Sequence, residues 1–168
     1  AAGELTMDLL GIYLNDHLAG SAAGLELFRR AARNHAGSEA GRVLQRLFDE
    51  VDQERKALLA LMDTLGVPVQ RPKLVLAWVA EKAARLKPNG RMFRRSPLSS
   101  VVELESLRLG VQGKALGWAL LRTLADYDHR LDPDQLDELR KRAEQQGQII
   151  EELRLRAAVA AFATRQSA

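Results

Sequence analysis

The chain contains no cysteine. That one absence excludes disulfide bridges, thiolate metal sites and cysteine nucleophiles together. It fits a reducing compartment, and a cytoplasmic location is expected. No apolar run approaches the ~18 residues needed to cross a bilayer. The start, Ala1-Ala2-Gly3-Glu4-Leu5-Thr6-Met7, has no basic stretch leading into an apolar one, so no signal peptide is expected. Alternating strand patterns are missing. Histidine is scarce, with only His17, His35 and His129. No serine stands beside His129 in the sequence to suggest a nucleophile triad. Asp126, Asp128, Asp132 and Asp134 lack the glycine and terminal glutamate of a calcium loop, and Pro133 interrupts them.

What is present is helix. The 168 residues suit one domain, and 46% apolar with 28% charged residues is the balance of a globular chain. Apolar residues recur at spacings of three and four over about 5–34, 39–65, 97–127 and 133–162, with a shorter helix over about 73–86. Punctuation frames these segments. Gly37 and Ser38 separate the first two helices, and Gly66 with Pro68 stops the second. Ser96-Pro97 starts the next long helix, and Asp132-Pro133-Asp134-Gln135 starts the last.

The expected core stripes repeat as three, four, three, four, the period of long helices lying nearly parallel in a bundle. They run Leu14, Leu18, Ser21, Leu25, Phe28, Ala32; then Leu44, Leu47, Val51, Glu54, Leu58, Leu61, Leu65; then Leu98, Val102, Glu105, Leu109, Gln112, Leu116, Ala119; then Leu136, Leu139, Ala143, Gln146, Ile150, Leu153, Ala157, Ala160. Short connections make the first two and last two long helices antiparallel hairpins. The stretch 66–96 between them is long enough to return along a helix of ~40 Å, which would leave the second and third long helices parallel. The alternative is an up-down bundle with the 73–86 helix as a fifth member.

Two stretches, Tyr13-Leu14-Asn15-Asp16-His17-Leu18-Ala19-Gly20 and Ser96-Pro97-Leu98-Ser99 leading into Glu103-Leu104-Glu105, resemble the ferritin-like superfamily and, within it, a group of uncharacterised bacterial proteins. The resemblance implies an all-α, ferritin-like four-helix bundle with a long crossover carrying one extra short helix. It also implies a place to look for metal. Di-iron members of this fold set a Glu on each of two helices and a Glu-x-x-His on each of the other two. Here the second and last long helices have no histidine. Glu50 is followed three residues on by Gln53, and Glu144 by Gly147. Both Glu-x-x-His motifs are missing, and oxidase, oxygenase or iron-storage chemistry is not expected.

Polar residues nonetheless interrupt the stripes. His17, Glu54, Gln112 and Gln146 fall near mid-height and are expected to form one buried polar layer, a hydrogen-bonded device that fixes helix register. Other readings are the remnant of a metal site, or a weak mononuclear site using His17 and Glu54 with Glu105 or Asp16. Residues 71–100 hold eight basic side chains (Arg71, Lys73, Lys82, Arg85, Lys87, Arg91, Arg94, Arg95) against one acid, Glu81. Such a segment either packs on the bundle with its cations in water, or meets an anionic membrane or nucleic acid. The function expected is a non-enzymatic structural or interaction protein, stress-associated by family analogy. The alternatives are a metal-binding or metal-dependent redox protein, and an anionic-surface binder acting through 71–95. No small-molecule substrate or organic cofactor is indicated. A homodimer or larger homo-oligomer is expected for a bundle of this kind, although no exposed stripe can be assigned to it from sequence.

Overall fold

A computed structural model describes residues 5–70 and 95–163. Four helices fill most of them: α1 (Met7–Asn34), α2 (Glu39–Thr64), α3 (Pro97–Leu124) and α4 (Pro133–Phe162). The short helix expected over 73–86, and the basic side chains from Arg71 to Arg94, lie outside the described residues. The third long helix is three residues shorter than its apolar pattern suggests, because Ala125 already caps it and a turn follows.

The helix starts use the chemistry written into the sequence. The Ser38 hydroxyl accepts the Gly41 N–H at 3.1 Å, and Asp132 accepts the N–H groups of Asp134 and Gln135. At α3 the Ser99 hydroxyl accepts the Ser96 N–H at 3.3 Å, ahead of Pro97 at the first helical position. Each such cap contributes about 1 kcal/mol. Glycine is required at position 41, because a Cβ there would run into the backbone carbonyl of His35 in the tight α1–α2 turn.

Contacts at the two ends fix the topology. At one end Asn15 of α1 holds Pro68 and Gln70 beyond α2, and Arg130 before α4 reaches the Leu65 carbonyl and Met7. At the other end Asn34 and His35, closing α1, hold Glu103 near the start of α3. Hence α1 and α3 run antiparallel, as do α1 with α2 and α3 with α4. The second and third helices are parallel. The chain between Gln70 and Arg95 therefore connects opposite ends of a bundle that is about 40 Å long at 1.5 Å per residue.

The core falls into two stacked clusters. One gathers Leu14, Leu18, Leu58, Met62, Trp118 and Leu136 with their neighbours. The other gathers Phe28, Leu44, Leu47, Leu107, Val111 and Ile150 with theirs.

Candidate functional site

The boundary between the clusters is polar, and three helices build it at the same spacing. On α2 the order is Val51, Glu54, Leu58. On α3 it is Val111, Lys114, Trp118, and on α4 Ala143, Gln146, Ile150. In each triplet the outer residues are buried apolar side chains, three before and four after the polar one. The helical period holds all three polar residues on the inward face. On α1 the matching position is Ser21, between Leu18 and Leu25, and its hydroxyl returns to the Leu18 carbonyl at 2.6 Å.

These side chains satisfy one another. The Lys114 ammonium donates to Glu54 Oε2 and to Gln146 Oε1. The Gln146 amide donates to Glu54 Oε1 at 2.8 Å and to Glu50 Oε2 at 3.0 Å. Glu54 and Gln146 are each only 1% exposed, while the Lys114 side chain retains 17% exposure. Its ammonium is turned to a buried carboxylate and a buried amide rather than to water, the reverse of the usual snorkelling arrangement. Burial pushes the Lys114 pKa below the usual lysine value. The charge and hydrogen bond of Glu54, and then the charge of Glu50, pull it back up, and Arg142 adds to the lowering. A carboxylate buried without a partner would be costly, so the ammonium is what allows Glu54 to lie in the core.

Lys114 was not among the residues expected here, and two that were lie elsewhere. Gln112 is exposed and accepts a hydrogen bond from Arg108 at 3.1 Å on the outer surface of the bundle. The cause is the rotation of α3. This helix carries two apolar stripes on opposite sides. Leu98, Val102, Leu109 and Leu116, expected in the core, face outward, while Val101, Leu104, Leu107, Val111, Trp118 and Leu121 are buried. Gln112 goes with the outer stripe and Lys114 with the inner one. His17 sits one position to the side of the α1 stripe, half-buried. Its ring lies against Gly117 of α3, where a Cβ would stand 2.9 Å from Cε1, and against the Tyr13 ring with centroids 4.5 Å apart. Burial lowers its pKa and Asp16 partly restores it. Among the described residues no hydrogen bond joins His17 to Glu54 or Gln146.

The candidate metal ligands are likewise apart. Glu105 is half-exposed on α3 and pairs with Arg154 of α4 at 3.1 Å. Asp16 is exposed. Among the described residues no three His, Asp or Glu side chains are grouped to hold a metal ion. The residues do not fit a di-metal centre: α2 and α4 supply no imidazole, and one oxygen of Glu54 is taken by an ammonium and the other by an amide. Arg95, the one member of the basic segment within the described residues, pairs with Glu103 at 3.4 Å. Glu103 also accepts from Asn34 at 2.6 Å and lies 3.3 Å from His35. This cluster ties the start of α3 to the end of α1.

Two surface depressions lie at the other end, around Met7–Asn15 with Leu65–Gln70 and around Tyr127–Arg130, and neither includes a residue of the polar layer. No described helix is long and apolar enough to cross a membrane. No protein-family model, curated protein or solved structure matches the chain.

Proposed function

We propose that this chain is a non-enzymatic, ferritin-like scaffold, a structural or interaction protein in which an internal lysine supplies the positive charge that metal ions supply in the di-iron members of that fold. Two antiparallel hairpins with parallel second and third helices support the ferritin-like reading. The observation that carries the functional reading is Lys114 donating to Glu54 and Gln146 at the boundary of the two core clusters. Two cations in an apolar bundle need several carboxylates and imidazoles around them. Here one ammonium and one amide satisfy the buried carboxylate. A stress-associated role follows by family analogy alone, and a cytoplasmic one is supported by the absence of cysteine.

The test is elemental analysis. The full chain, purified without chelator, is incubated with ferrous, manganous or zinc ions, desalted and measured. Only substoichiometric metal is expected, with no change in thermal midpoint on adding the ions. Stoichiometric retention of any of the three, accompanied by stabilisation, overturns the proposal.

A further inference from the structure

The outward stripe of α3 is too regular for a surface that faces only water. Leu98, Val102, Leu109, Leu116 and Leu120 are all exposed, Leu109 by 73% and Leu116 by 60%. At 100° per residue they fall within a strip about 40° wide, opposite the core face of the same helix. The strip runs about 33 Å at 1.5 Å per residue. A continuous apolar stripe of this length on the surface of a bundle marks a contact surface.

The order of its residues identifies the partner. Read outward from Leu109, the stripe is a palindrome: Val102 and Leu116 stand seven residues to either side, and Leu98 and Leu120 stand eleven. A two-fold axis through Leu109 would set a second α3 antiparallel to the first. Leu109 would then meet its own copy, Val102 would meet Leu116, and Leu98 would meet Leu120. The polar residues between them fit the same operation. Glu105 would face Gly113, and Ser106 would face Gln112, so no like charges would oppose each other. A parallel pairing in register would instead set Glu105 against Glu105. Gly110 and Gly113, with no atom of the described residues within 4 Å of where a Cβ would stand, leave room for close approach. A surface that is complementary to itself under a two-fold rotation is what an isologous dimer requires.

We infer that the chain forms an antiparallel homodimer through the outer face of α3, with its two-fold axis at Leu109. The inference stands on α3 alone and is independent of whether the polar layer takes metal. One helix pair is at the low end of the ~1,200 Å² that specific interfaces bury, so affinity in the micromolar range is expected.

Sedimentation velocity of the full chain over a concentration series should show a monomer–dimer equilibrium. Leu109→Glu should weaken it on the order of 100-fold, because two carboxylates meet at the centre of the interface. Its helical content and thermal midpoint measured below the dissociation constant should match those of the parent, and Leu155→Glu, on another exposed leucine, should leave the dimer intact. The chain has no cysteine of its own, so single cysteines report the geometry. Leu109→Cys should cross-link to itself under mild oxidation, whereas Leu98→Cys and Leu120→Cys should cross-link with each other and not with themselves. The inference is overturned by a monomer at every concentration. A reactive thiol in the Leu109→Cys variant would then mean a free face, and a shielded one a face covered by the same chain. It is equally overturned by a dimer that survives Leu109→Glu, or by self-cross-linking at position 98.

Discussion

On either side of Lys114 the bundle is held by close-packed leucine, isoleucine, valine and phenylalanine, whereas at Lys114 it is held by a charge and two oxygens. The layer comes from three of the four helices that build the clusters, and at the same spacing, so backbone geometry does not distinguish the two. Their tolerance of change does. A leucine in either cluster has many interchangeable partners, and shortening it leaves a void. Glu54 has two partners, Lys114 and Gln146, and removing either leaves a buried polar group unsatisfied.

Substitutions that separate the two behaviours follow, beginning with the largest effect. Leu47→Ala and Leu136→Ala, each at a position with no exposed surface, should each cost about 3–4 kcal/mol in chemical denaturation. Glu54→Leu alone should cost about 3 kcal/mol, since it strands the ammonium inside the bundle. The triple change Glu54→Leu, Lys114→Met, Gln146→Leu should restore parental stability to within about 1 kcal/mol or exceed it. A triple variant as damaged as the single one would show that the layer packs as tightly as the clusters, and the contrast would collapse.

The smallest effect is a slope with pH. The folded Lys114 pKa lies below its unfolded value through burial. Between the two values the unfolded chain binds more protons, so stability rises with pH across that window. At neutral pH the burial penalty is present in full. The Tyr13 pKa is raised by burial and acts in the opposite direction, but it is common to both proteins. Denaturation of parent and triple variant from pH 8 towards 10.5 should therefore show the parent gaining stability relative to the variant. Equal slopes would remove Lys114 from the account.

How much of this could be read in the residues differs from helix to helix. The α2 stripe from Leu44 to Leu65 is buried along its length, with Glu54 in its place, because the opposite face of that helix is charged and leaves one phase for the pattern. Glu54 and Gln146 were visible as interruptions of otherwise leucine-like runs. The rotation of α3 was not visible, because leucines lie on both its sides and periodicity alone cannot choose between them. Lys114 was hidden for a second reason: a lysine is ordinarily a surface residue, and only its position three after Val111 and four before Trp118 matches it to Glu54 and Gln146. His17 is a rare residue beside Leu14 and Leu18 in the sequence, but one step along a helix is 100°, enough to turn it towards α3.

The division of the layer between the two hairpins has a consequence for assembly. Glu54 and Glu50 belong to the α1–α2 hairpin, and Lys114 with Gln146 belongs to the α3–α4 hairpin. Each half thus carries one sign of charge at the centre of its sticky face. A hairpin that met its own twin during synthesis would press like charges together in an apolar seam. Meeting the other half cancels them, so the two halves are complementary fragments, each biased against its own kind before the chain has finished closing.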